Sequence, residues 1–142
     1  MKSNRVSVMI DLNVLLDVME KREPWVMDSA KCCAICGAWR VIGYVSPHAL
    51  TTIYYIVRKR VGKAVAKRAI DWVLAMFKIA KLGAAEFKRA SLLNFEDFED
   101  AVVAASAEGE KCAYIVTRNA AHFKGSPVPV ISPSEFVTRF GA

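Results

Sequence analysis

The stretch that decides the expected fold is Arg5-Val6-Ser7-Val8-Met9-Ile10-Asp11, near the start of the chain. Residues 5–10 are dense in β-branched side chains, which is typical of a strand buried on both faces of a parallel sheet. Such sheets bind ligands beyond the carboxyl ends of their strands. Because Asp11 follows the strand directly, its carboxylate is expected to face a cleft, although capping of the next helix is the commoner role for an aspartate there.

The rest of the chain alternates between strand and helix patterns. Further strands are expected at residues 41–45, 77–82, 112–117 and 128–131, and helices at residues 13–21, 25–39, 47–60, 63–76, 84–93 and 95–108, with a last helix from Pro133. Ser46 and Ser132, each followed by proline, predict the N-caps of two of these helices. Strands separated by helices predict right-handed crossovers, and therefore an α/β fold in which helical layers cover a central parallel sheet of four to five strands.

Length and composition exclude several classes of protein. The 142 residues correspond to one domain, here residues 1–142, and 54% hydrophobic with 24% charged residues is unlike a disordered chain. No apolar run approaches the ~20 residues of a membrane helix, and no cleavage site for secretion follows the first apolar run. We therefore expect a cytoplasmic protein whose cysteines are buried small hydrophobes rather than zinc ligands, namely Cys32, Cys33, Cys36 and Cys112.

The balance of charge favours an acidic partner such as nucleic acid. The chain carries 20 lysines and arginines against 14 acids, which gives a net charge of +6. A basic cluster lies within eleven residues and consists of Arg58, Lys59, Arg60, Lys63, Lys67 and Arg68. This cluster predicts either a surface for phosphates or an ordinary solvated helix face, and charge alone does not separate the two.

Acidic residues are concentrated in one short segment of this basic chain. Four carboxylates fall within five residues, at Glu96, Asp97, Glu99 and Asp100. Asp97 and Asp100 are three residues apart and are predicted to share one helix face. A helix start favours acids, but adjacent like charges repel each other and one acid suffices for a cap. Hard divalent cations bind through one or two carboxylates, so Asp11, Asp97 and Asp100 together predict a Mg²⁺ or Mn²⁺ site.

A polar turn, Thr117-Arg118-Asn119, follows the fourth predicted strand. The Thr117 hydroxyl is able to hydrogen-bond to a neighbouring carboxylate, and the Asn119 amide to a hydrated metal or a phosphate oxygen. The alternative is a polar turn and helix cap without a chemical role.

Taken in this order and spacing, these motifs resemble the PIN domain (PilT N-terminus) family. The resemblance rests on residues 10–17, 97–101, 115–119 and 129–136 and on Phe123, so it covers nearly the whole chain. It implies a three-layer α/β/α fold and a Mg²⁺- or Mn²⁺-dependent ribonuclease centre. Many members are toxins of toxin–antitoxin pairs, so the resemblance also implies RNA as substrate, a small antitoxin protein as partner, and a homodimer.

The resemblance assigns roles to particular residues. Asp11 and Asp100 correspond to metal-binding acids, Asp97 to a supporting ligand, and Asn119 to a position where members often have a fourth acid or an asparagine. Supporting roles are expected for Asn13, Thr52, Thr117 and His122, and phosphate contacts for Arg118, Arg58, Lys59 and Arg60.

Two of these positions depart from the family pattern, because Thr52 and His122 stand where members usually have further acids. Each carboxylate that is lost lowers the affinity for a hard cation. Two functions therefore stay open: a metal-dependent endoribonuclease, or a PIN-fold RNA- or protein-binding module whose catalysis has weakened.

Overall fold

The computed structural model describes residues 5–141; the domain predicted over residues 1–142 also includes residues 1–4 and 142, which lie outside the described residues. The strands are β1 (Ser7–Ile10), β2 (Ile42–Val45), β3 (Lys78–Ile79), β4 (Tyr114–Val116) and β5 (Val130–Ile131). The helices are α1 (Leu12–Met19), α2 (Val26–Gly37), α3 (Pro47–Val61), α4 (Lys63–Met76), α5 (Ala84–Leu92), α6 (Phe98–Gly109) and α7 (Pro133–Phe140). A short 3₁₀ helix, Ala120–Phe123, follows β4. None of these described helices has both the length and the apolar character required to cross a bilayer.

The described strands form one parallel sheet in the order β3-β2-β1-β4-β5, which confirms the predicted architecture. β1 lies in the centre, where Met9 is level with Tyr44 of β2 on one side and Ile115 of β4 on the other. The chain builds outward from β1 to β3 and then crosses back to place β4 on the other side of β1. The strand order therefore reverses beside β1, and the crevice between the carboxyl ends of β1 and β4 is the expected ligand site.

The central strand is buried on both faces because helices cover each side of the sheet. Val8 and Ile10 pack into one apolar cluster with α1, α2, α3, α4 and α7, whereas Met9 packs on the opposite face against α6. Successive strand side chains alternate between faces, so the unbroken apolar run of β1 corresponds to burial on both. All three side chains are at most 2% exposed. These layers confirm the predicted three-layer α/β/α fold.

Most differences from the predicted elements lie at their ends. The helix predicted at residues 63–76 has the bounds of α4, whereas the strands predicted at residues 5–10, 77–82 and 112–117 are shortened to β1, β3 and β4. The helix predicted at residues 95–108 begins only at Phe98. Asp97 takes the N-cap position, and its Oδ1 accepts hydrogen bonds from the backbone N–H groups of Glu99 and Asp100. Asp97 therefore precedes α6, so its predicted helical position is wrong, although its side chain and that of Asp100 line the same cavity.

The two Ser-Pro sequences differ in how they begin their helices. Ser132 Oγ accepts a hydrogen bond from the Glu135 N–H at 3.1 Å, which confirms the predicted cap of α7. Ser46 occupies the N-cap position of α3 without a capping hydrogen bond, and its Oγ lies 2.7 Å from His48 Nδ1. The predicted capping by the Ser46 side chain is wrong, because the imidazole engages the hydroxyl instead.

The four cysteines are free and buried, as predicted from their context. Burial raises the pKa of the Cys33, Cys36 and Cys112 thiols to about 12, and that of Cys32 further still.

The packing of α7 leads to a stability prediction at Phe136, whose side chain is fully buried. We expect Phe136→Ala to lower the free energy of unfolding by about 3–5 kcal/mol, because the substitution leaves a cavity between α7 and the sheet. Phe87→Ala is the matched control, since Phe87 is 43% exposed, and a loss of about 1 kcal/mol or less is expected there. Urea denaturation followed by circular dichroism measures both, and equal losses would contradict a core role for α7.

Candidate active site

Asp11 carries the first carboxylate of the site and lies directly after β1. Its backbone N–H still donates to the Val116 carbonyl of β4, at 3.0 Å, so the residue is held at the sheet edge. The side chain is 8% exposed and makes no capping hydrogen bond, although Asp11 occupies the N-cap position of α1. Instead Oδ2 accepts a hydrogen bond from Thr117 Oγ1 at 2.9 Å. The carboxylate therefore faces the crevice between β1 and β4, and the predicted contact between Thr117 and a carboxylate is confirmed.

Burial makes the charged form of Asp11 unfavourable and raises the pKa of its carboxyl group. Four weaker effects oppose this rise: the hydrogen bond from Thr117, the backbone N–H of Leu12, and the positive charges of Arg118 and His122. The effect of burial is larger than these four effects together, so the protein stabilises the ionised Asp11 carboxylate only in part.

Asp100, in the first turn of α6, carries the second carboxylate. Its side chain is 21% exposed, and its pKa is raised to about 6. Burial is the main cause, followed by the negative charges of Asp97 and Asp11; His122 lowers the pKa and Glu99 raises it slightly. Because the charge of Asp11 is felt at Asp100, the sheet edge and the start of α6 bring the two carboxylates into one electrostatic environment.

A cavity of about 730 Å³ adjoins Asp100. It is lined by Asn94, Phe95, Glu96, Asp97, Asp100, Ala121, His122, Lys124 and Gly125. The His122 imidazole is 63% exposed, with Nδ1 3.9 Å from Asp100 Oδ2. The basic side chain of Lys124, which the sequence analysis did not select, also lines this cavity. An open, polar cavity beside Asp100 is large enough for part of a charged substrate.

The turn after β4 is tightly organised around Thr117, which is 1% exposed. Thr117 Oγ1 donates to Asp11 and accepts a hydrogen bond from the Asn119 backbone N–H at 3.0 Å. Asn119 precedes the 3₁₀ helix, and its side chain makes no capping hydrogen bond. Thr117 is therefore more than part of a polar turn, because its hydroxyl contacts the Asp11 carboxylate. The catalytic role of Asn119 stays a prediction.

The Arg118 side chain, which the sequence predicts to contact phosphates, is paired with other side chains of the protein. Its Nε donates to Asp17 Oδ2 at 3.0 Å and its Nη2 to Asp17 Oδ1 at 3.1 Å. Its guanidinium also stacks 3.9 Å from the ring centroid of Trp25. Asp17 was not selected from the sequence, although an acid within the apolar helix sequence Leu15-Leu16-Asp17-Val18 signals a buried ion pair.

The predicted RNA-binding residues Arg58, Lys59 and Arg60 lie in the last turn of α3. That helix starts beside the carboxyl end of β2 and has 15 residues, so its end lies about 20 Å further on. The three side chains are exposed there, and Arg60 Nη1 lies 2.8 Å from Glu20 Oε2. The structure does not bring them to the acidic pair, and their contact with RNA stays a prediction.

The remaining supporting residues lie in the first part of two helices. Asn13 is half-buried in the first turn of α1, and Thr52 is half-buried in α3, within the two turns that follow Pro47. Both helices begin at the sheet edge that carries Asp11. Their supporting roles stay predictions.

The donor set fits a hard divalent cation that keeps several waters. Within residues 5–141, no three Asp, Glu, His or Cys side chains are arranged closely enough to enclose an ion alone. Mg²⁺ usually binds through only one or two carboxylates and completes its coordination with water and substrate phosphates. Buried Asp11 and the more exposed Asp100, which lines the cavity, match that requirement, because a cation would offset the cost of burying their charges.

Comparisons with known proteins agree with this fold. A family model described as PIN domain matches residues 7–121. Ribonuclease VapC1 of Aquifex aeolicus (strain VF5) is 29% identical over 142 residues, which cover 96% of this chain and 97% of that protein.

Solved structures give the same result at lower identity. VapBC2 from Rickettsia felis, bound to a DNA fragment from its promoter, aligns with a TM-score of 0.72 at 18% identity, covering 89% of this chain and 98% of that one. A toxin–antitoxin complex from Klebsiella pneumoniae aligns with a TM-score of 0.69 at 20% identity, covering 89% and 97%. Mycobacterium tuberculosis VapC20, a Sarcin–Ricin loop cleaving toxin, aligns with a TM-score of 0.60 at 14% identity, covering 76% and 86%. At these identities the structures establish the fold, and the family model, which matches more than half of the sequence, establishes that the chain belongs to the PIN domain family.

Proposed function

We propose that this chain is a metal-dependent endoribonuclease that hydrolyses phosphodiester bonds in RNA. The observation that carries the proposal is that both acids adjoin the segment that follows β4: Asp11 accepts a hydrogen bond from Thr117, and Asp100 lies 3.9 Å from His122 in the 3₁₀ helix after that strand. Membership of the PIN domain family and the similarity to a ribonuclease support the substrate class. The net charge of +6 favours a polyanionic substrate.

Asp11 and Asp100 would hold Mg²⁺ or Mn²⁺, with Asp97 contributing negative charge from the N-cap of α6. A bound divalent cation supplies polarisation of the scissile phosphate and of an attacking water. Thr117 holds Asp11 Oδ2 through its hydroxyl and so fixes the orientation of that carboxylate at the end of β1. His122 and Lys124 line the cavity as the basic groups nearest to where an RNA phosphate would lie.

The same comparisons support a cellular role as the toxin of a toxin–antitoxin pair, acting on RNA in the cytoplasm. Several similar structures are VapBC or toxin–antitoxin complexes. A small antitoxin protein and a second copy of this chain are therefore the partners to look for. Co-expression with the neighbouring reading frame, followed by size-exclusion chromatography with light scattering, measures both.

The second candidate function is a binding module with weakened catalysis. The specific observation that favours it is the presence of Thr52 and His122 at positions where family members usually carry acids. Calorimetric titration with Mn²⁺ separates the candidates, because the enzyme requires binding at or below millimolar metal and the module does not.

Removal of either carboxylate charge tests the proposed site. We expect Asp11→Asn and Asp100→Asn each to lower the rate of RNA cleavage by about 100-fold or more, because the charge that holds the cation is lost. Chelation of the metal with EDTA is expected to abolish cleavage by the wild-type chain. A gel assay with labelled RNA and either Mg²⁺ or Mn²⁺ measures the rates.

The matched control is Asp71→Asn, since Asp71 lies on α4, is 63% exposed and, within residues 5–141, forms an ion pair only with Lys67. It is expected to cleave at the wild-type rate. Cleavage that persists in both site variants would refute the assignment of the two acids.

The raised pKa of Asp100 predicts how stability depends on pH in the metal-free protein. The folded state holds the proton up to about pH 6, whereas the unfolded carboxyl loses it near pH 3.8. The stability contributed by this group is therefore present at low pH and lost as the pH rises through 6. We expect Asp100→Asn to raise the free energy of unfolding at pH 7.5, on the order of 1 kcal/mol after solvent screening, with no gain at pH 4.

Urea denaturation at pH 4, 6 and 7.5 in the presence of EDTA measures this difference. A variant less stable than the wild type at pH 7.5 would show that Asp100 is not held in an unfavourable ionised state.

A further inference from the structure

Asp17 is an acid buried within an apolar helix. It lies on α1 with no exposed surface, and Ser29 Oγ donates to its Oδ2 at 3.2 Å. Arg22 Nη1 lies 3.8 Å from Oδ1, too far for a strong hydrogen bond. Full burial of a carboxylate is costly unless a cation pairs with it in good geometry. Arg118 supplies that cation, through the two hydrogen bonds of 3.0 and 3.1 Å.

Two kinds of contact restrain the Arg118 guanidinium: hydrogen bonds along its edge and an aromatic ring against its face. The paired bonds to Asp17 fix its plane, which is the fork geometry that distinguishes arginine from lysine. The Trp25 ring covers its face at 3.9 Å. The side chain is 19% exposed, so little of the guanidinium is accessible to an RNA phosphate.

Arg118 lies between Thr117 and Asn119, so its anchored side chain restrains the turn that these three residues form. Thr117 Oγ1 accepts the Asn119 N–H and donates to Asp11 Oδ2. The Thr117 backbone is held by its own N–H, which donates to the Ile131 carbonyl at 3.0 Å, so movement of residues 118 and 119 would first break the Asn119 bond and then loosen the Thr117 hydroxyl on Asp11. The chain of contacts therefore runs from buried Asp17 through Arg118 to the turn, and from the turn to Asp11.

We infer that Arg118 is a positioning residue of the proposed active site, which uses its buried pairing with Asp17 to hold the Thr117–Asn119 turn and, through Thr117, the Asp11 carboxylate. This inference rests on the proposed function. It replaces the direct phosphate contact expected from the sequence.

The test compares Arg118→Met and Arg118→Lys with a matched control, Arg89→Met. Arg89 makes the same kind of two-bond pair, with Glu108 at 2.7 and 3.3 Å, but on the exposed surface between α5 and α6. Three quantities are measured on the full chain: Mn²⁺ affinity by calorimetry without RNA, kcat and KM for RNA cleavage, and hydrogen exchange of the Asn119 amide.

A positioning role predicts that Arg118→Met weakens Mn²⁺ binding and lowers kcat, each by about tenfold or more, with KM for RNA changed less than about twofold. Exchange of the Asn119 amide is expected to accelerate about tenfold, because its acceptor on Thr117 is no longer held. Arg118→Lys is expected to recover part of the loss, since it keeps the charge but not the fork. Arg89→Met is expected to match the wild type in all three quantities.

A raised KM with unchanged Mn²⁺ affinity, kcat and amide exchange would overturn the inference and identify Arg118 as an RNA contact. Should Arg118→Met not fold, Trp25→Leu removes the face contact and keeps the ion pair, and a smaller change of the same pattern is expected. A wild-type chain that neither binds Mn²⁺ nor cleaves RNA would overturn the proposed function. Unchanged exchange at Asn119 in Arg118→Met would overturn the positioning role alone.

Discussion

The burial of two carboxylates where water solvates them poorly is the constraint on which the rest of this site depends. The sheet topology forces Asp11 to the edge where β1 meets β4, and the start of α6 places Asp100 within reach of its charge. The chain offsets the cost of burying Asp11 only in part, through the Thr117 hydroxyl and the charges of Arg118 and His122. The remaining electrostatic cost gives the crevice its preference for a cation, and it is the kind of local instability that functional sites commonly carry.

Local patterns in the sequence were sufficient to predict the parallel sheet and the contact between Thr117 and a carboxylate. Both follow from the same geometry, because every parallel strand ends at one edge and residues that follow neighbouring strands meet there. The start of α6 was predicted too early because residues 95–97 are as acidic as the first helical turn. Capping by Asp97 is decided by backbone conformation, which the charge pattern does not contain.

The surroundings of Arg118 and the position of the basic cluster could not be predicted in the same way. Asp17 and Arg118 are 101 residues apart, so no local spacing connects them. Arg58, Lys59 and Arg60 were selected for charge alone, but the length of α3 carries them away from the sheet edge where it begins. Net charge is a property of the whole chain, whereas binding depends on which end of a helix faces the substrate.

The buried thiols have a consequence for the chemical resistance of the molecule. Oxidants and alkylating reagents attack the thiolate, and a thiol with a pKa near 12 has almost none at neutral pH. Three of the four sulfurs lie on α2, between the sheet and α7. The thiols of Cys32, Cys33 and Cys36 therefore react only when α2 separates from the sheet, and that of Cys112 only when the opposite face of the sheet opens, which makes the four cysteines internal reporters of global opening.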